Sequence, residues 1–93
     1  MIKRQGQRMH ARRRALERYG LNCGPRTRNA LLEAIQNSDA VFLESYSNRQ
    51  KVFAVNYGEQ YYPVVYDNRR HEIVTFLPRE YLTRHQNKLS LKL

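Results

Sequence analysis

The chain has few means of cross-linking itself, with a single cysteine, Cys23, among its 93 residues. A lone thiol excludes an internal disulfide and a cysteine-based zinc site, and it is expected as a small buried residue rather than a nucleophile. No apolar run approaches the roughly 20 residues that a membrane helix requires, so no membrane contact is expected. The first residues carry charge and never reach an apolar h-region, so no secretory signal is expected either. No G-x-x-x-x-G-K-[ST] or G-x-G-x-x-G element is present, which argues against a nucleoside-triphosphate or dinucleotide enzyme; no cofactor and no metal are expected. Internal repeats and low-complexity stretches are absent. These absences leave one small domain in a reducing cytoplasm.

Acidic residues are also scarce. Eight Asp and Glu face 17 Lys and Arg, for a net charge of +9. Such an excess on a small surface repels itself and attracts polyanions, and its bias toward Arg favours recognition of phosphates and bases. Lys3, Arg4, Arg8, Arg12, Arg13, Arg14, Arg18, Arg26 and Arg28 lie in the first thirty residues, opposed only by Glu17. This asymmetry predicts an electropositive face built by the N-terminal third.

Residues 1–6 are polar and are expected to be a flexible basic N-terminus, with a single domain over residues 7–93. Good helix formers without Pro or Gly predict a first helix from Gln7 to Tyr19, stopped by Gly20. At about 100° per residue, Met9, Ala11, Ala15, Leu16 and Tyr19 share its apolar side, with Arg12 intruding. His10, Arg13, Arg14, Glu17 and Arg18 share the other side. Gly24–Pro25 punctuates a loop, and Thr27 is expected to cap a second helix from Asn29 to Asn37, buried through Ala30, Leu31, Ala34 and Ile35. The period then changes. Val41–Tyr46, Val52–Tyr57, Tyr61–Tyr66 and Glu72–Leu77 are short, β-branched and aromatic, and joined by turn residues, which predicts an antiparallel meander. Pro63 conflicts with a central strand, so the third strand is expected to start at Val64 or the strand order to depart from a simple meander. A short helix is expected from Tyr81 to Lys88. The fold class is therefore α+β: two N-terminal helices packed on one face of a four-stranded antiparallel sheet, the other face open to a ligand.

Three groups of residues could carry chemistry. His10, Arg14 and Arg18, at i, i+4 and i+8, stand along one helix face; an imidazole beside two guanidiniums suits phosphodiester chemistry, although a solvated charged face has the same pattern. Thr75 lies in Ile73–Val74–Thr75–Phe76–Leu77–Pro78, where alternation puts Val74 and Phe76 on one face and Ile73, Thr75 and Leu77 on the other. Tyr57, Tyr62 and Tyr66, with Arg49, Arg69 and Arg70 in nearby turns, could stack bases and track a backbone, or could equally be core residues whose hydroxyls reach the rim. Arg12 and Arg13 extend the candidate nucleic-acid surface. His71 and His85 lack metal-type partners and are expected to be structural or exposed.

The stretches His10-Ala-Arg-Arg-Arg14-Ala-Leu-Glu-Arg18-Tyr-Gly20-Leu21 and Ile73-Val-Thr75-Phe-Leu-Pro78 resemble patterns shared by small phage-encoded proteins and toxin-like domains, H-x-x-x-R-x-x-x-R-x-G-[IL] and I-[VT]-T-[FVY]-x-P. That group looks like an outlying branch of the barnase–EndoU–colicin–RelE fold, in which N-terminal helices pack on a four-stranded antiparallel sheet. The resemblance covers residues 7–80. It implies a metal-independent endoribonuclease that cleaves RNA by attack of a 2′-hydroxyl on the adjacent phosphate. His10 would then be the general base or acid, Arg14 and Arg18 the phosphate ligands, and Thr75 a hydrogen-bond donor to the phosphate. The host cytoplasm would be its setting. The alternatives are a phage protein that binds RNA or DNA without cutting it, and one that covers an acidic surface of a host enzyme.

Overall fold

A computed structural model describes the backbone of residues 3–92 and the side chains of residues 8–89. Two helices, α1 (Lys3–Tyr19) and α2 (Pro25–Gln36), precede four strands, β1 (Val41–Ser45), β2 (Gln50–Tyr57), β3 (Gln60–Asp67) and β4 (Glu72–Phe76). Two short helices follow, α3 (Glu80–Arg84) and α4 (Gln86–Lys92). The sheet order is β1-β2-β3-β4, all antiparallel, as the turn chemistry predicts. Helix α1 opens at Lys3 rather than Gln7, so residues 3–6 of the expected flexible segment are helical, and residues 1–2 lie outside the described residues. Among the described residues no helix is long and apolar enough to cross a membrane.

Helix α1 lies over β4 and α2 over β2. One buried cluster unites Ala11 and Ala15 of α1, Leu31 and Ile35 of α2, and Val55, Tyr62, Val64, Tyr66, Ile73 and Phe76 of the sheet. Small residues at Ala11 and Ala15 let α1 approach closely, and each large side chain buried here contributes roughly 1.5–3 kcal/mol. The buried stripe of α1 is narrower than its sequence suggests. Met9 and Leu16 are 61% and 59% exposed, and Arg12, which intrudes into the predicted apolar arc, is exposed and bonded to Asn22 Oδ1. Gly20 ends α1 at φ +64°, where Leu21 N reaches back to Ala15 O, a conformation that glycine adopts without strain.

The expected open sheet face is covered. Leu43, Val52, Ala54, Val65 and Leu77 form a second cluster with Leu82 of α3, and Tyr81 and Leu89 pack against it. The sequence reading underestimated the C-terminal helix because its two pieces are too short for a clear period. Both edge strands help to fill this face. The register slips between Phe42 and Glu44 in β1, and between Val65 and Tyr66 opposite β4, where Val74 is the extra residue. A bulge turns two consecutive side chains to one side. Leu43 and Glu44, and likewise Val74 and Thr75, therefore face α3 and α4.

Pro63 sits inside β3, a central strand, against expectation. Its carbonyl accepts from Leu77 N at 2.8 Å, so the side of Pro63 that lacks an N–H points at the place where β4 ends. The missing donor thus affects one position just beyond the ladder, and Pro63 is tolerated there fully buried.

Candidate nucleic-acid interface

Helix α1 runs parallel to β4 and is pinned at Arg8 and at its last residue, Tyr19. Arg8 forms a fork on Glu72, Nε to Oε2 at 3.1 Å and Nη2 to Oε1 at 3.2 Å, and Tyr19 donates its hydroxyl to Leu77 O. The eleven steps from Arg8 to Tyr19 at 1.5 Å and the five from Glu72 to Leu77 at 3.3 Å each span about 16 Å, so the two segments match in length. The sheet-facing stripe Arg8-Ala11-Ala15-Tyr19, buried at its two alanines, fixes where everything else on α1 points. His10, Arg14 and Arg18 each precede a stripe residue by one position, which sets them about 100° away on a single flank. Arg12 follows Ala11 and takes the opposite flank, toward Cys23 and α2. The His10 flank therefore faces away from α2, past the β4 edge.

On that flank His10 and Arg14 are half-buried and Arg18 is exposed. Arg14 Nη1 pairs with Glu17 at 3.1 Å, an i,i+3 contact between exposed groups that holds the guanidinium loosely. Burial lowers the pKa of His10 below the ordinary histidine value, and the charges of Arg14, Arg13 and, less than the opposing Glu17, Arg18 lower it further. Both effects favour the neutral imidazole, the form able to accept a proton.

Thr75 does not join this group. It pairs with Val65, which belongs to the cluster under α3, and directly opposed residues share a face, so its side chain lies across the sheet from α1. Among the described residues its hydroxyl has only a long contact, 3.5 Å, with Phe76 O. Phe76 and Thr75 do take opposite faces as alternation predicts, but Ile73 sides with Phe76 and Val74 with Thr75 because of the bulge.

Tyr62 and Tyr66 are core residues, and Tyr57 packs half-buried against the same cluster. Tyr66 is 5% exposed, packs edge-on to Phe53 and meets His71 Nδ1 through its hydroxyl at 3.0 Å; Tyr62 is equally enclosed, and Tyr57 binds Thr27. Burial leaves neither the Tyr62 nor the Tyr66 ring a face free to stack a base, whereas Tyr57 is half-buried. Arg49 is a structural counter-ion, its Nε 3.6 Å from Asp67 Oδ2. Arg69 is exposed and Arg70 half-buried, and their backbone amides both donate to Asp67 Oδ1. Arg13 is exposed beside the His10 flank.

The opposite flank of α1 holds a feature the sequence reading passed over. Arg8, Arg12 and Arg28 line a hollow of about 130 Å³ with Cys23, Gly24 and Pro25. Helix α2 begins at Pro25, four residues earlier than predicted, with Gly24 as its N-cap residue and no side-chain cap; the expected cap, Thr27, instead bonds Tyr57. The signal was present in Gly24-Pro-Arg-Thr-Arg28, since Pro is favoured at the first helical position. Among the described residues no group of three or more His, Cys, Asp or Glu could hold a metal ion. No protein-family model, no curated protein and no solved structure matches this chain.

Proposed function

We propose that the chain is an RNA-binding domain that engages the phosphate backbone through α1 and the start of α2. One observation carries this reading. Of the seven arginines between residues 8 and 28, only Arg8 and Arg14 have a carboxylate partner among the described residues, which leaves Arg12, Arg13, Arg18, Arg26 and Arg28 without one. Unpaired, always-charged guanidiniums concentrated on two adjacent helices repel one another until a polyanion neutralises them. The test is RNA affinity against salt concentration. A steep linear fall of log K with log salt is expected, and neutralising Arg13, Arg14 and Arg18 together should flatten the slope by about two to three units. Salt-independent binding, or a slope unchanged in the triple variant, would refute the reading.

A second reading, an endoribonuclease of the kind that the resemblance implies, is favoured by the place of His10 on one flank of α1 with Arg14 and Arg18, where burial and the neighbouring charges disfavour its cation. His10 would take the proton of a 2′-hydroxyl, whose oxygen attacks the adjacent phosphorus held by Arg14 and Arg18. The P–O5′ bond breaks, the departing oxygen takes a proton from solvent, and a 2′,3′-cyclic end remains. Thr75 has no part in this scheme. Incubation with total RNA in EDTA tests it: cyclic 3′ ends should form, and His10→Ala, folded by circular dichroism, should form none. A stoichiometric host protein retained from nuclease-treated lysate, with no RNA affinity, would point instead to the acidic-surface alternative.

A further inference from the structure

We propose that the exposed ring of Phe42 on β1 is a stacking site for an unpaired base, which makes a single strand the nucleic acid that this domain prefers. This contact presupposes the RNA-binding reading and adds to α1 a second point of attachment. Phe42 is 44% exposed, whereas Phe76 in the core is fully buried. It pairs with Phe53, and directly opposed residues share a face. Its ring therefore lies on the side of the sheet that carries α1 and α2, at the edge farthest from α1. Phe53 meets the ring edge-on at 5.8 Å and is itself backed by Tyr66 at 6.1 Å. The ring is thus held in place before anything binds, which lowers the ordering cost of a contact.

Two ammonium groups frame it. Lys51 is on the same face, since it pairs with Tyr66, and its Nζ is 5.8 Å from the Phe42 centroid. Lys88 reaches round the edge from α4, with Nζ 5.6 Å from the centroid and bonded to Leu43 O. Neither lysine has a carboxylate partner among the described residues. An exposed aromatic ring among unpaired cations is what a single strand needs, with a base for the ring and phosphates for the charges. A duplex supplies the phosphates but keeps its base faces stacked inside. The lysines do not exclude a base from the ring. In affinity a stacked base is worth roughly five- to 150-fold and an exposed cation–π contact about two- to fivefold, so the base displaces an ammonium, which then serves the neighbouring phosphate. A second copy of this chain fits poorly. The bulge in β1 and the bond from Lys88 to Leu43 O blunt that edge against strand addition, and two chains of charge +9 repel each other.

The test uses the full chain in EDTA with short 2′-O-methyl RNA, which 2′-hydroxyl attack cannot cut. A single strand should bind the parent protein roughly fivefold or more tightly than an abasic strand with the same number of phosphates. Phe42→Ala and Phe42→Leu should each abolish that preference, and Phe42→Trp should keep it. Leucine retains apolar cover for Phe53, so its variant reports on stacking even if alanine loosens β1. Lys51→Gln should lower the salt slope by about 0.7 for both strands. A strand bearing 5-iodouracil should crosslink under near-ultraviolet light to the peptide that contains Phe42, and not in Phe42→Leu. Equal affinity for the normal and abasic strands, or a preference that survives Phe42→Leu, overturns the stacking site and leaves the arginines of α1 as the whole interface. No affinity for any strand overturns both. A Phe42-dependent preference whose salt slope ignores neutralisation of Arg13, Arg14 and Arg18 keeps the stacking site and removes the arginine flank. Phe42-dependent binding to phosphatidylserine vesicles, with no preference for the base-bearing strand, assigns the ring to a lipid surface and overturns the proposal.

Discussion

The hydroxyl of Tyr19 donates to the carbonyl of Leu77, the acceptor that Pro63 cannot serve. In the ladder Leu77 N gives to Pro63 O, and the return bond from residue 63 is missing because proline has no N–H. The last residue of α1 thus completes the sheet that α1 covers. Arg79 lies over the Tyr19 ring at 5.4 Å, and Tyr62 meets it edge-on at 5.2 Å, so the donor is held in place from both sides.

Tyr19→Phe should therefore cost about 1–3 kcal/mol, the penalty for stranding a buried acceptor, with little change in packing. Replacing Pro63 by Ala restores a backbone donor. In the Pro63→Ala background the same Tyr19→Phe change should cost measurably less, and thermal denaturation of the four proteins gives the coupling. Equal costs in the two backgrounds would separate Tyr19 from the proline.

Much of this molecule was legible in its sequence, and the failures have physical causes. The strand periods, the turn residues and Gly20 located the meander and the end of α1. Pro63 misled because its exception depends on where β4 stops, a tertiary fact. Thr75 was expected to open onto a bare sheet face; the bulge at Val74 and the paired short helices after Pro78 changed its surroundings, and a single sequence shows neither. Alternating tyrosines look the same whether they stack bases or fill a core, and only the packing of α1 and α2 identifies Tyr62 and Tyr66 as core. The arginine-lined hollow was missed because Arg8 and Arg12 join Arg28 only once α2 starts at Pro25.

Asp67 should govern stability in acid. Its side chain is fully buried; burial alone would raise its pKa, but the amides of Arg70 and Arg69 and the charges of Arg49 and Arg70 overcome this and hold it below the ordinary carboxylate value. A depressed folded pKa adds stability that is present above the unfolded value of about 4 and is lost as pH falls through the lower folded one. Asp67→Asn should destabilise the protein at pH 7 and leave its stability flatter between about pH 4 and pH 2. Urea midpoints across that range provide the check; parallel curves for parent and variant would assign acid sensitivity elsewhere.

Glu44 fastens the C-terminal helices to β1. His85 Nε2 lies 2.6 Å from its Oε1 and Arg84 Nη1 3.4 Å, and Lys88 donates to Leu43 O. The hydrogen bond with His85 is the main cause of the lowered Glu44 pKa. Glu44→Gln should loosen α3 and α4 before the rest of the fold, seen as faster amide exchange at Leu82 and His85 with little change at Val55 or Val64. The difference should fade as acid protonates Glu44 in the parent. Uniformly faster exchange over the whole sheet would mean that the C-terminal helices unfold together with the rest.

His10 offers a measurement that bears on chemistry without assuming it. Its imidazole should titrate below about 6.5 by NMR, because burial and three arginines disfavour the cation. Arg14 is the largest of the three charges, so Arg14→Gln should move the midpoint up toward 6.5, whereas Arg79→Gln should leave it in place. The linkage sign follows. The folded state binds this proton more weakly than the unfolded chain, so stability is lost as pH falls through about 6.5 toward the lower folded value. If His10 is the base that activates a 2′-hydroxyl, the acid limb of RNA cleavage must track the same midpoint and move up with it in Arg14→Gln, apart from any loss of rate. A titration that shifts while the acid limb stays fixed would leave His10 a half-buried spectator on α1.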